Sequence, residues 1–416
     1  MEYITSKNIF LLMRDMLKLI DRRPMDHGSK VGYLMYKMLA CKGGYEEYEL
    51  ADFLMLATLH DIGAYKTDGM GDRLNYEFKD PMPHSVYGFL FLKNISPLAS
   101  MSKMLLYHRV SCNNIPTENF EYGLETEVLS LAEAVEFYFL ALGEGFDHTM
   151  FRRQEGTLYS KRALDLLDEA VEKYDVFSHL DDDSYQVELD NLLEYMHYTN
   201  EDKKKFMEMI MYCIGFRSEL SVVDEVTSLN VSLELAEKLN LDAMQKEKLY
   251  YASLIHDVGM LAVPTRIIEA PRKLSADETE IIRKHVEKEE KIFQNRMNAE
   301  IVTIATAHHE RMDGSGYPLG LKENQMTVEQ YILQVADVVT ALTCKRSYRP
   351  VRSKDEVIEI LNNDASEGKL NSRVVEVFTY AYDEIMKKVE EESKITLAMY
   401  DKLREKYKNA SEKFAK

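Results

Sequence analysis

The sequence predicts an all-α protein made of two tandem helical bundles joined by a helical connector, and three observations carry that expectation. Apolar residues recur at three- and four-residue spacing over long stretches, which is the signature of amphipathic helices. No convincing run of alternating apolar and polar residues occurs. Two apolar segments, Leu54–Gly63 and Tyr250–Gly259, each contain the dipeptide His-Asp and are followed by the same order of spaced histidines.

The helical runs are taken in order. Val31–Ala40, Tyr48–Leu59, Val128–Leu142, Leu164–Tyr174 and Leu229–Leu239 each present an apolar stripe. The 416 residues are 45% hydrophobic and 30% charged, enough apolar material for a sizeable core. Gly is 18 and Pro only 9, which suits helices better than a turn-rich β-sandwich. The organisation expected is a first bundle over 1–144, a connector over 145–219, a second bundle over 220–385 and a charged helix over 386–416. The acidic stretch Asp181–Asp183 reads as a loop. The Lys/Glu-rich tail reads as a solvated face or a homodimer contact.

The net charge of −19 disfavours a grip on extended nucleic acid, which needs a basic face. A small anionic substrate remains compatible if metal ions and a few Arg or Lys residues offset the charge locally. Cys41, Cys112, Cys213 and Cys344 form no CxxC pair, and no apolar run of about 18 residues or basic leader is present. The expectation is a reduced, cytoplasmic compartment and no membrane span.

The repeated histidine series is the main functional signal. Asp61 to His84 spans 23 residues and Asp257 to His285 spans 28. His84 to His108 and His285 to His309 both span 24. Glu133 and Asp337 then follow on similar apolar helices, 25 and 28 residues later. Such agreement indicates a diverged internal duplication. In the second half, His256, Asp257, His285, His308, His309 and Asp337 are candidate metal ligands. Neutral imidazoles and carboxylates converging from separate helices suit a dinuclear hydrolytic centre, where two ions about 3.5–4 Å apart clamp a phosphodiester.

The strings HDVGMLAVP from His256, KLSADETEIIRKH ending at His285, AHHERMDGSGYPLGL and VADVVTALTCKRSYRP together resemble an HD-GYP domain of the HD superfamily of metal-dependent phosphohydrolases. The resemblance covers roughly residues 220–385, and its triplet is Gly316, Tyr317 and Pro318. It implies an all-helical domain, two or three divalent ions (iron or manganese), and hydrolysis of cyclic di-GMP. It places the six residues above at metal-ligand positions, with Asp257 also catalytic. Arg311 and Asp313-Gly314 fall in the loop leading to the triplet. Arg346 and Arg349 match a basic segment facing phosphate. The chain departs from the pattern at three positions: Asp224 stands where an opening His is usual, Met260 where a Lys follows the His-Asp-x-Gly turn, and Thr340 where an Asp is common.

The first half resembles a plain HD domain, with a second metal site expected from His27, His60, Asp61, His84, His108 and Glu133. There the doublet His-His becomes Tyr107-His108, and Lys66 and Arg109 are candidate phosphate contacts. Three functions are thus expected. The first is a phosphodiesterase acting on a cyclic dinucleotide or other small phosphoester in bacterial second-messenger signalling. The second is a nucleotide- or partner-binding scaffold with degenerate centres. The third is a nucleotide phosphohydrolase working from the first half.

Overall fold

The computed structural model describes residues 3–20, 26–63, 82–217, 219–344 and 351–414. Helices account for all the regular structure among them, and β-pairing is confined to isolated bridges such as Asp313 with Lys322. The all-α expectation holds. Arg346, Arg349 and Lys66 lie outside the described residues.

The chain forms two compact units. One comprises Ser6–Lys205 and Leu403–Lys416, the other Met1–Thr5 and Phe206–Lys402. The N-terminal unit contains α1 (Ser6–Ile20), α2 (His27–Lys42), α3 (Glu47–Thr58), α4 (Met82–Ile95), α5 (Lys103–Tyr107), α6 (Gly123–Leu142), α7 (Lys161–Tyr174), α8 (Val176–Asp181) and α9 (Tyr185–Leu193). Helix α10 (Asn200–Arg217) carries the chain across the boundary. The C-terminal unit contains α11 (Glu219–Lys238), α12 (Ala243–Ile255), α13 (Thr265–Ile268), α14 (Ala276–Arg283), α15 (His285–Phe293), α16 (Ala299–Thr306), α17 (Val328–Thr343), α18 (Lys354–Ser366) and α19 (Ser372–Tyr380). The closing helix α20 (Tyr382–Phe414) is 33 residues long.

Helix α2 is the axis of the N-terminal unit. Val31, Tyr33, Leu34, Met35, Met38 and Leu39 are buried along it, and α3, α6 and α7 pack around it. Residues 145–205, read from the sequence as connector, belong to this unit; α7 packs on α2, and α9 on α3. In the C-terminal unit α11 lies against α12 and α17, and α12 against α16. Ile332, Leu333, Val335, Ala336 and Val339 bury one face of α17. Each large aliphatic side chain so buried contributes about 1.5–3 kcal/mol.

Two buried glutamines join α17 to the end of α16. Gln330 Nε2 donates to the Thr303 carbonyl at 3.0 Å and Gln334 Nε2 to the Ala307 carbonyl at 3.3 Å. Those carbonyls are among the groups a helix C-terminus leaves without intrahelical partners. The pairing fixes the exit of α16, where His308 and His309 follow, relative to the helix that carries Asp337.

No helix among the described residues is long and apolar enough to cross a membrane.

Candidate metal centres

In the C-terminal unit the histidines sit at helix ends. Helix α12 stops at Ile255, with His256 and Asp257 in the turn before a short 3-10 segment. Helix α16 stops at Thr306, two residues before the His308-His309 pair. Adjacent residues inside a helix diverge by about 100°. Beyond the helix end that constraint relaxes, and both members of each pair reach one cluster.

The same positions orient the rings. Nδ1 of His256 donates to the Ser253 carbonyl at 3.0 Å, that of His285 to Ile282 at 2.7 Å and that of His308 to Ala305 at 2.7 Å. Each ring takes up a carbonyl three residues back and turns Nε2 inward, the arrangement by which proteins fix the tautomer of a metal-ligating histidine. His285 Nε2 and His308 Nε2 lie 3.1 Å apart. Asp257 stands among them, 3.3 Å from His285, 3.8 Å from His308 and 3.8 Å from His256. On the other side His309 Nδ1 is 3.2 Å from Asp337 Oδ2. Burial holds His285 and His308 below the usual imidazole range, so their lone pairs are available at neutral pH. Burial alone would raise Asp337, but the adjacent His309 outweighs it and brings the carboxyl down to about 2.

A cavity of about 320 Å³ opens beside this cluster, lined in part by Asp224, Met260 and Thr340 together with His256, Asp257 and Asp337. All three positions that depart from the HD-GYP pattern therefore border the site. Two acidic residues not anticipated from the sequence are here as well. Glu225 is buried with Oε2 at 4.0 Å from His256 Nδ1. Glu289, one turn after His285, is fully buried, and neither of its carboxylate oxygens has a hydrogen-bond partner. Burial, reinforced by Asp257, pushes both carboxyls well above the usual range. Only their position within otherwise apolar helix faces marked them, and that signal is weak without a fold.

The Gly316-Tyr317-Pro318 triplet forms a cover. A Cβ at Gly316 would stand 2.3 Å from the Arg311 nitrogen, so the loop folds against its own stem only with glycine there. Fully buried Glu310 accepts the backbone N–H groups of Leu319 at 2.6 Å and Leu321 at 2.8 Å, pinning the loop. The Tyr317 ring then lies 4.8 Å from that of His309, with the Arg283 guanidinium 5.0 Å from its centroid.

The N-terminal unit repeats the construction. His60 Nδ1 donates to the Ala57 carbonyl at 2.6 Å and His108 Nδ1 to Leu105 at 2.7 Å. Asp61 lies 3.7 Å from both His60 and His84, and 4.0 Å from His27. Glu133 lies 3.7 Å from His60 and 3.6 Å from His108. All six sequence-predicted residues thus converge. His27 is braced from behind, its Nδ1 2.7 Å from Glu136. Burial lowers His84 to about 3 and His108 to about 4.

Arg109, a candidate phosphate contact from the sequence, is turned onto Glu133 instead, with Asp61 at 4.0 Å. Although burial would raise it, this guanidinium and the neighbouring imidazoles hold the Glu133 carboxyl far below the usual range. The contact also corrects the alignment of the two halves. Equal spacing of 24 residues pairs His108 with His309. The structure pairs His108 with His308, since each bonds the carbonyl three residues back at its helix end. Arg109 therefore corresponds to His309, each facing the carboxylate of the last helix. By the same register Glu136 corresponds to Thr340, three residues beyond Glu133 and Asp337. The shift arises because the segment from the second histidine to the paired helix-end histidine is one residue longer in the first half, 24 residues from His84 to His108 against 23 from His285 to His308.

Both donor sets fit divalent cations. In the C-terminal unit, donor atoms of His285, His308 and His309 lie within 4.8 Å of one another. In the N-terminal unit, His27, His60 and Glu133 form one such group, and Asp61, His84 and His108 another. His27, His60 and His108 have buried Nε2 atoms without a hydrogen-bond partner in the protein. A buried, unpaired lone pair is costly unless an ion or other group occupies it.

Comparison with known proteins agrees. Residues 208–374 match the HD domain family. The 3′3′-cGAMP-specific phosphodiesterase 1 of Vibrio cholerae is 26% identical over 376 residues, covering 85% of this chain and 86% of that protein. The cyclic di-GMP phosphodiesterase of Thermotoga maritima is 34% identical over 160 residues, 37% of this chain and 43% of its own length. Among solved structures, a cyclic GMP-AMP specific phosphodiesterase of V. cholerae superposes with a TM-score of 0.58 at 14% identity, covering 92% of this chain and 98% of that one, which shows a shared fold. Over residues 208–374 the chain thus matches the HD domain family, and it is similar to named cyclic-dinucleotide phosphodiesterases both there and along most of its length.

Proposed function

We propose that the C-terminal centre hydrolyses a phosphodiester of a 3′3′-linked, guanine-containing cyclic dinucleotide. The observation that carries this reading is the convergence of His256, Asp257, His285, His309 and Asp337 on a cavity of about 320 Å³, with His308 Nε2 3.1 Å from His285 Nε2. Cyclic di-GMP is the substrate expected from the sequence motifs. The V. cholerae relative aligned along both units is named as specific for 3′3′-cGAMP. Both share the guanine and the 3′–5′ linkage, and assay separates them.

In this reading the inward Nε2 atoms of His256, His285 and His308, with Asp257, His309 and Asp337, hold two or three ions. Asp224 is an added oxygen donor at the rim. When bound, such ions supply the positive charge and Lewis acidity that a phosphodiester needs. Asp337, kept ionised beside His309, and Asp257, set among three imidazoles, orient the ligand rings. Tyr317, whose hydroxyl burial keeps protonated, shields His309 from solvent. Arg283 and Arg311 lend positive charge beside Tyr317 in a chain whose net charge is −19. Arg346 and Arg349 are proposed as further phosphate contacts.

The test is incubation of purified protein with manganese or anaerobic ferrous iron and each of cyclic di-GMP and 3′3′-cGAMP, with separation of the linear products. Linear dinucleotide should form, and His256→Ala should abolish it while His60→Ala leaves it. A metal-loaded chain that binds but cleaves neither compound would sink the reading. It would favour the second one, a binding scaffold. The observation for that alternative is the buried Thr340 hydroxyl, without a hydrogen-bond partner in the position opposite Glu136 of the first half.

A further inference from the structure

We infer that the N-terminal unit holds a single divalent cation, bound by His27, His60, Asp61 and Glu133, and that the Arg109 guanidinium replaces a second cation. This inference does not depend on the activity assigned to the C-terminal centre.

Three observations support it. First, the donors are built for a cation. His27 and His60 present buried Nε2 atoms with no hydrogen-bond partner, and the far side of each ring is anchored, His27 on Glu136 at 2.7 Å and His60 on the Ala57 carbonyl at 2.6 Å. Carboxylate–histidine anchoring of this kind is what orients metal ligands. The C-terminal unit lacks the corresponding pair, having Asp224 and Thr340 in place of a histidine and its acidic brace.

Second, a positive charge is already in place where the other ion of a two-ion cluster would lie. In the C-terminal unit His309 completes a group with His285 and His308. In the N-terminal unit His84 and His108 group with Asp61 instead, and the position that His309 holds is taken by Arg109. Arg109 remains charged under all ordinary conditions and cannot ligate a metal. It touches Glu133 and stands 4.0 Å from Asp61, the two carboxylates that border both positions.

Third, the charges balance. One divalent ion and one guanidinium bring three positive charges to the three carboxylates of Asp61, Glu133 and Glu136. A second divalent ion would bring five, with Arg109 at close range.

The experiment uses the full chain carrying His256→Ala and His285→Ala, which empties the C-terminal centre, loaded with manganese and freed of excess ion. Metal analysis should find one manganese per chain, and electron paramagnetic resonance should show an isolated ion. Adding Arg109→His should raise the content to two and give the signal of a spin-coupled pair. His27→Ala in the same background should lose the single ion, whereas His84→Ala should retain it. Circular dichroism and melting temperature confirm that each variant is folded, and Arg109→Gln, which removes the charge with less change of shape, serves if Arg109→His is not. With Arg109→Gln, manganese uptake beyond one per chain is the supporting result. No manganese, or two, in the parent overturns the inference. So does a content that stays at one in folded Arg109→His or Arg109→Gln protein.

Discussion

A Cβ placed on Gly259 would stand 1.9 Å from the carbonyl oxygen of His285, and one on Gly63 would stand 2.0 Å from that of His84. In each half the glycine of the His-Asp-x-Gly turn is therefore where the next histidine helix closes on the first pair. Backbone to backbone contact this tight leaves no flexible atom to yield.

Gly259→Ala should consequently displace His285 and cost about 1–3 kcal/mol, the range for overpacking a filled interior. Metal analysis should show loss of ion from the C-terminal centre, and thermal unfolding a lower midpoint. Unchanged metal content would mean that the two segments are not in contact as described.

Removing the anchor of the Gly-Tyr-Pro loop should separate cover from centre. Glu310→Ala leaves the N–H groups of Leu319 and Leu321 without their acceptor, at about 1–3 kcal/mol each if they stay buried. The expected outcome is faster hydrogen exchange across 316–321 with metal still bound. Protection equal to the native chain would contradict the pinning role.

Asp52 offers a pH test distant from metal ligands. Burial, with Asp202 and Glu49 nearby, raises its pKa to about 6 despite the hydrogen bond from Tyr198 at 3.1 Å. The folded state thus binds the proton more tightly than the unfolded state, whose value is about 3.9. Stability from the protonated form is lost as pH rises from about 4 through 6, and the full penalty, about 2–3 kcal/mol, applies above that. Asp52→Asn should therefore melt higher than the native chain at pH 8, and the difference should vanish near pH 3.5. A constant difference across that range would show that Asp52 does not titrate as described.

Chelation should expose the contribution of bound ions to folding. An ion that binds only the folded state at a hundred times its Kd adds about 2.7 kcal/mol. Treatment with a chelator should lower the melting temperature, and manganese should restore it in the native chain. The combined His27→Ala and His256→Ala variant should respond less, and an equal response there would place the ions elsewhere.

The sequence by itself determined the helical class and the identities of the candidate ligand positions, because both are written in local terms. Helical periodicity needs only neighbours three and four residues apart, and His60-Asp61, His256-Asp257 and the histidines after them stand in a repeated order. Only the tertiary structure decided which residue faces which. Counting residues paired His108 with His309, whereas the hydrogen bond of each helix-end ring to the carbonyl three residues back pairs His108 with His308 and assigns Arg109 to the position of His309. Glu225, Glu289 and Glu136 were likewise invisible as site residues, since a glutamate in a helix is ordinarily a solvated one. Their burial beside the imidazoles is a property of how the helices pack, because a one-residue difference in a connecting segment alters which side chain meets the opposing helix while leaving local periodicity unchanged.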